Sequence, residues 1–439
     1  MKFSVKTESI TRALLPVVEA ATKSVDKSFE SGGRITISAD KKGIEAVAFG
    51  GKVALKAKIS DIEVDDLLYK YFDDGKTTVS AVSLMDAIGS FAPDKIIIFE
   101  VTKVKGSKIE KLYIRKQEDN EVFQAVPCFD QEVIMPKLAV KFNKTVKLPK
   151  ATFLYGLEKV FFSVGFESDR QKYLYWVMRT DKKKVRFVSG TGARFACLDL
   201  MGENVVTSTP EKTDFMFHKD HTPVVAKVLT MSGDDQVEIK NSDPTDKNAP
   251  FQIVVSSGHT DIILVGMNAT IAWPDEDKLF GAGYKYKITT KVSDLVEASI
   301  GINAAFDDQL KKERRAHIAK LSLDFTKKLV VIQTSDLLES KRKVGIIDSK
   351  VDSKVTVDAN SWKSGENPEL LCLSPYISEV AQNGKDGEYV QIEFSAKDRP
   401  ILVRYYAGEK VDDSKIIKKT NKASGISETF AILCSTQNT

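Results

Sequence analysis

Few residues in this chain have the types and spacing that chemistry requires. The histidine pair at ligand-like spacing is His218-Lys219-Asp220-His221. A metal would need further ligands, but no cysteine or other histidine lies nearby, and Pro223 marks a helix start. Four histidines in the whole chain supply no Ser/His/Asp or Cys/His constellation. Asp234-Asp235 and Asp307-Asp308 resemble paired carboxylates, but both sit at turns, where aspartate caps its own backbone. The phosphate-loop pattern G-x-x-x-x-G-K-[ST] is absent, so ATP hydrolysis is not expected. Gly190-Thr191-Gly192 is a G-x-G, yet no helix opens after it, and a dinucleotide site is not supported. Cys128, Cys197, Cys372 and Cys434 are far apart and form no C-x-x-C pair; they read as reduced, mostly buried thiols of an intracellular protein. The expectation is a protein without metal, cofactor or turnover, one that binds rather than reacts.

The elements that must present such a binding surface are legible around 185–200. Val185, Phe187 and Val188 read as a strand, Gly190-Thr191-Gly192 as a tight turn, and Arg194-Phe195-Ala196-Cys197-Leu198 as a returning strand. This unit is the middle of three copies. Strand 34–38, turn 40–43 and strand 44–47 form a hairpin, as do strand 174–178, turn 181–184 and strand 185–187, and strand 318–325, turn 326–329 and strand 330–332. The turns are roughly 140–145 residues apart, a domain-sized period rather than a solenoid one. Helical spacing of apolar residues precedes each hairpin, at 8–22, 150–164 and 291–303; Pro16 should kink or shorten the first helix. A second helix recurs at 82–91, 222–231 and 376–381, each between short strands. The short connections demand antiparallel pairing.

Length agrees with this period: 439 residues suggest about three domains. The boundaries fall at 1–135, 136–280 and 281–439, with linkers near 129–143 and 275–283. Stretches 352–365 and the Lys-rich 409–428 read as solvent-exposed additions. Hydrophobic content of 42% is ample for packed cores, and no segment approaches the ~18 apolar residues of a membrane span. Lys2, Lys6, Glu8, Arg12 and Glu19 break up any signal-peptide pattern, so a cytoplasmic location is expected. A net charge of +4 implies no nucleic-acid partner by itself.

The strand, the Gly-x-Gly-x-Arg-apolar turn and the returning strand resemble the middle domain of the bacterial-type DNA sliding clamp, the β subunit of replicative DNA polymerase III. That family usually has Thr-Asp-Gly-x-Arg-Leu, where this chain has Gly190-Thr191-Gly192-Ala193-Arg194-Phe195. Met1-Lys2-Phe3-Ser4-Val5 is similar to how many clamps begin, and the order of elements matches over nearly the whole chain. The chain reads as a divergent member, such as a phage or other divergent replicon would encode.

The resemblance implies an α+β clamp fold of three similar domains, each with two helices packed on antiparallel sheets. Two chains would close into a ring with the helices lining the hole. Enclosure holds duplex DNA without tight contacts, and a few mobile cations suffice. The implied DNA-facing residues are Arg12, Lys23 and Lys27; Lys159, Arg170 and Lys172; Lys227; and Lys311, Lys312, Arg314 and Arg315. The other second helices carry Asp86 and Glu379. The implied groove for short linear motifs of a DNA polymerase and a clamp loader uses Leu174, Gly192, Arg194, Phe195, Pro274, Lys278, Leu279, Pro400 and Leu433. Lys278 stands where the family commonly has Arg, keeping the charge but losing the planar fork. Phe123, in a strand near the end of the first domain, matches an edge used for homodimer closure. Two other readings stay open: a non-encircling, monomeric DNA-bound adaptor of the same fold, and an unrelated β-rich enzyme or structural protein.

Overall fold

The computed structural model describes residues 1–23, 32–60, 69–104, 109–119, 121, 123–137, 139, 141–165, 171–181, 184–191, 194–202, 213–242, 251–265, 273, 275, 278, 280, 283–304, 318–334, 341–346, 348–351, 369–373, 382–384, 388–395, 401–407, 419–421 and 426–434. Contacts divide the chain into two compact units, Met1–Leu154 with Val206–Ile271, and Tyr155–Val205 with Ala272–Thr439.

Helices α1 (Thr7–Lys23), α2 (Ala81–Gly89), α3 (Lys150–Phe161), α4 (Thr222–Met231) and α5 (Val292–Ala304) lie at the expected places, with ends shifted by at most three residues. In α1 the apolar positions Ile10, Leu14, Val17 and Ala21 are buried, as the spacing requires. Pro16 does not cut the helix short. It removes one backbone donor, but it is itself buried beside Val17, and packing of that face offsets the loss. Ser80 caps α2 by accepting from the Ser83 N–H at 3.3 Å, and α4 begins with Pro223 in its first turn, where a missing N–H costs nothing. The second helix expected at 376–381 lies outside the described residues.

One ladder pattern is built three times. Strand Lys2–Lys6 pairs with Ile96–Lys103, Phe142–Pro149 with Gln236–Ser242, and Tyr286–Lys291 with Glu388–Phe394. Each first strand runs directly into a helix: α1, α3 or α5. Each helix leads to a hairpin: Arg34–Asp40 with Gly43–Phe49, Tyr175–Asp181 with Lys184–Gly190, and Ile318–Asp324 with Leu329–Thr334. A third strand extends each hairpin: Val53–Ser60, Arg194–Met201 and Lys341–Gly345. The strand pairs among the described residues are antiparallel, as the short connections predict.

Copies join at sheet seams. Within the first unit, Val53–Ser60 pairs with Thr260–Leu264, making one sheet of thirteen strands. Within the second, Arg194–Met201 pairs with Ile426–Cys434. In both, the extending strand of one copy meets the last strand of the next. Lys341–Gly345 has no such partner among the described residues. Phe123–Phe129, the last strand of the first copy, pairs with Glu110–Lys116 and touches Gly75–Ser80 at Phe129 and Cys128. In the Lys-rich stretch 409–428, expected to be a solvent-exposed addition, Lys419–Asn421 pairs with Ile426–Cys434 and is built into the sheet. Ile426, Thr429, Phe430 and Ile432 on that strand are of types that favour a ladder over a loop. Stretch 352–365 lies outside the described residues.

Candidate functional site

The groove residues centre on one cross-strand pair. Gly190 and Phe195 face each other in the hairpin extension. A Cβ on Gly190 would lie 2.2 Å from the Phe195 ring, so only glycine lets the ring lie flat across the neighbouring strand. Phe195 in turn packs with Tyr284 and Leu402, and Tyr173, Trp273 and Phe280 lie against this cluster. Tyr173 meets Phe195 edge-on, with ring centroids 5.9 Å apart. Leu433 sits opposite both Phe195 and Leu402 in the ladder, so its strand lies between theirs.

Arg194 takes a different place from a groove wall. It is 6% exposed, and its guanidinium donates to the Phe162 carbonyl at 2.8 Å, just past the end of α3. There it satisfies a carbonyl that the helix leaves open and meets the negative end of its dipole. Thr191 completes the turn: its N–H donates to the Arg194 carbonyl at 2.7 Å. Leu174, half-buried, ends a short 3₁₀ turn at Gln171–Leu174 that also carries Tyr173. Lys278 is exposed and pairs with Asp275 at 3.4 Å. Gly192, Pro274, Leu279 and Pro400 lie outside the described residues.

The cluster has a charged floor. Glu393 is buried and receives Arg404 Nε at 2.8 Å; Arg404 also donates to the Phe280 carbonyl at 3.1 Å. Burial, reinforced by the Glu393 charge, pushes the Tyr284 phenol up to about 12, so it stays a neutral donor. The Trp273 indole nitrogen is buried without an acceptor among the described residues. Tyr173, Phe280, Tyr284, Leu402 and Arg404 were not singled out from sequence. Aromatic density around the 275–283 linker was the available signal.

The basic candidates divide. Arg12, on the outer face of α1, pairs with Glu8 at 3.0 Å, and Lys23 is exposed at that helix's end. Within the first unit α1 packs against both α2 and α4, and Lys227 of α4 reaches Glu19 of α1 at 2.8 Å. The Arg12–Glu8 pair is exposed and of the weak surface kind, whereas Glu19 is largely covered where Lys227 meets it. Helix α2 carries no Lys or Arg. Lys159 donates to the Asn383 carbonyl at 2.8 Å, and Lys172 lies 5.0 Å from the Tyr173 ring. Lys27, Arg170, Lys311, Lys312, Arg314 and Arg315 lie outside the described residues. Phe123 is 52% exposed at a strand edge, 5.5 Å from the Tyr113 ring.

The histidine pair is structural. His218 Nδ1 accepts from the Asp220 N–H at 3.3 Å, and Asp220 pairs with Lys52 at 2.8 Å. His221 is 2% exposed, and burial lowers its pKa to about 4. Among the described residues no group of three or more His, Cys, Asp or Glu could hold a metal ion. No helix among them is long and apolar enough to cross a membrane.

No protein-family model matches the sequence, and no curated protein matches it. Solved structures do match the coordinates. The DNA polymerase sliding clamp from Bacillus subtilis aligns with TM-score 0.74 at 13% identity, covering 100% of this chain and 99% of that one. That from Pseudomonas aeruginosa, solved with ligand, gives 0.74 at 14%, covering all of both chains. The DNA polymerase III β subunit from Thermotoga maritima gives 0.72 at 12%, over 100% and 99%. With its triplicated helix-and-hairpin module and its antiparallel seams, this chain has the α+β fold of the bacterial DNA polymerase sliding clamp.

Proposed function

We propose that this protein is a sliding clamp, a non-catalytic processivity factor of three domains (1–135, 136–280 and 281–439) that closes as a homodimer around duplex DNA. The observation that carries this is the seam pattern. Among the described residues two seams of one kind are made inside the chain, and one extending strand and one last strand are left without a seam partner. A second copy supplies the missing partners, and two such seams close the assembly. The cations Arg12, Lys23, Lys27, Lys159, Arg170, Lys172, Lys227, Lys311, Lys312, Arg314 and Arg315 then act as weak phosphate contacts that allow sliding. Short linear motifs of a DNA polymerase and a clamp loader dock against Phe195, with Leu174, Gly192, Pro274, Lys278, Leu279, Pro400 and Leu433 around it. Arg194 supports the site from beneath by fixing the end of α3. The protein works in the cytoplasm.

Loading on circular DNA tests this reading. A clamp is retained on a nicked circle and lost when the circle is cut, and its retention depends weakly on salt. A monomer of 48.7 kDa at micromolar concentration that binds linear and circular DNA alike, with a steep salt dependence, would support the adaptor reading instead.

A further inference from the structure

We infer that Arg404 and Glu393 are positioning residues of the motif site: together they hold the segment carrying Phe280 and Tyr284 where it completes the Phe195 cluster. This rests on the reading of Phe195 as a docking site and adds what sets the shape of that site.

The pair belongs to a device that the chain carries twice. Lys2 and Lys287 stand four places before Lys6 and Lys291, the ends of two opening strands, and lie opposite Glu100 and Glu393. One strand further out, Arg115 lies opposite Ile98 and Arg404 opposite Gln391, each two places before the glutamate. In both copies the glutamate takes both cations. Glu100 pairs with Lys2 at 3.1 Å and with Arg115; Glu393 pairs with Lys287 at 3.7 Å and with Arg404 at 2.8 Å. The second copy has Thr145, Lys240 and Ser256 at these places, which make no such triad.

The two triads differ in what they hold. In the first copy the Glu100 side chain keeps 21% of its exposure, and Arg115 Nε is buried without an acceptor among the described residues. In the third the Glu393 side chain keeps 5%. There Arg404 donates from Nε to Glu393 and from Nη2 to the Phe280 carbonyl at 3.1 Å. A little further along, the Lys285 N–H donates to Ser395 Oγ at 3.0 Å, on the same strand as Glu393. The segment is thus tied on both sides of Tyr284. Tyr284 packs with Phe195 and Leu402, Phe280 lies against them, and Leu402 stands directly opposite Glu393 in the ladder.

Stability is a poor reason for such a pair. Burying a carboxylate and a guanidinium costs desolvation that their attraction only roughly offsets, and an apolar pair of the same volume would serve the sheet as well. An apolar pair cannot fix a backbone carbonyl. A guanidinium oriented by a buried carboxylate aims its remaining donors in one direction, because the fork is planar. Rings held in place before a peptide arrives lose less freedom when it binds.

The first copy supplies the control. Arg404→Met and Arg115→Met each remove the guanidinium of one triad from the full chain. Two readouts are taken below the melting transition of every variant: trypsin cleavage after Lys278, and affinity for a fluorescein-labelled tail peptide of the cognate DNA polymerase. Arg404→Met should speed the cleavage and weaken the peptide about tenfold, and Arg115→Met should change neither by more than about twofold. Arg404→Lys keeps the charge without the fork; it should also weaken the peptide, and it serves where Arg404→Met does not fold. A wild-type chain that binds no tail peptide sinks the docking reading and this role with it. A wild-type chain that binds overturns the role alone if the Arg404 variants bind equally well, or if Arg115→Met moves both readouts as far.

Discussion

The two internal seams are one construction with its large and small side chains exchanged. In the first unit Phe49 faces Ala54; at the equivalent places in the second, Gly190 faces Phe195. Ala54 lies opposite Ile263, and Phe195 opposite Leu433. In the first seam the aromatic ring points into a closed cluster with Ala54, Val133, Val254, Ile263 and Val265. In the second it lies on the extending strand, over a glycine, among the half-buried rings of Tyr173, Trp273 and Phe280. Both rings are buried, 9% exposed for Phe49 and 8% for Phe195; the two clusters differ in their surroundings, aliphatic in the first and largely aromatic in the second. A duplicated scaffold thus changes which strand carries the ring without changing the ladder.

The exchange makes different demands on the two phenylalanines. Phe49→Ala should cost about 3–5 kcal/mol of stability, because the ring is buried and its cavity cannot refill. Denaturant titration measures it, and motif-peptide binding should be unchanged for the variant that remains folded. Phe195→Ala, at an equally buried ring, should cost a similar amount of stability and in addition weaken peptide binding by about tenfold or more. Equal stability losses with unchanged peptide affinity would remove the functional contrast between the seams.

Acid should separate the units next. His221 of the first unit has its pKa lowered to about 4 by burial, from an ordinary value of 6.5. The unfolded chain therefore binds more protons between those values. The stabilisation is complete above pH 6.5 and is lost as pH falls through 4, on the order of 3 kcal/mol in all. His218, also lowered by burial, adds in the same direction. Melting temperatures between pH 7 and 4.5 should fall, and His221→Asn should flatten that slope while lowering stability at pH 7. A slope unaltered by the substitution would assign acid sensitivity elsewhere.

The third effect is Gly190→Ala. The new Cβ meets the Phe195 ring, which can swing away only by disturbing Tyr173 and Tyr284, at about 1–3 kcal/mol. Peptide affinity should fall with stability. At Gly233, where a Cβ meets nothing, the same substitution should be nearly neutral.

What could be read from the sequence follows from what is local. The hairpins were legible because Asp-Lys-Lys-Gly and Asp-Lys-Lys-Lys turns lie between alternating strands, and the first helices because Ile10, Leu14 and Val17 recur at helical spacing. Phe195 and Arg194 stood out by resemblance, but their roles did not. That Arg194 turns under the sheet to the Phe162 carbonyl depends on where α3 ends against a strand more than thirty residues later. The Gly190–Phe195 exchange needed the register of two ladders, which no single stretch encodes. Tyr284, Leu402 and Arg404 belong to the cluster through pairings more than a hundred residues long, and turn chemistry and periodicity are silent at that range.

Charge is exchanged between the seams just as size is, and this gives the smallest effect. Glu45 faces Lys58 in the first hairpin extension; at the equivalent places of the second, Arg186 faces Asp199. The pairs differ in depth. Glu45 bonds Lys56 at 2.8 Å, and both are roughly a third exposed. Arg186 grips Asp199 with two bonds, at 2.6 and 2.9 Å, and both side chains are largely covered. A forked, desolvated pair loses more when broken, because the remaining carboxylate keeps, among the described residues, the single cation Lys184 at 2.9 Å. Arg186→Ala should therefore cost about 1–3 kcal/mol at any salt concentration. Lys56→Ala should cost under about 1 kcal/mol and nothing measurable at 1 M salt, where screening acts within ~3 Å. If both variants lose their effect together as salt rises, the second pair is as open to solvent as the first, and the seams differ in shape alone.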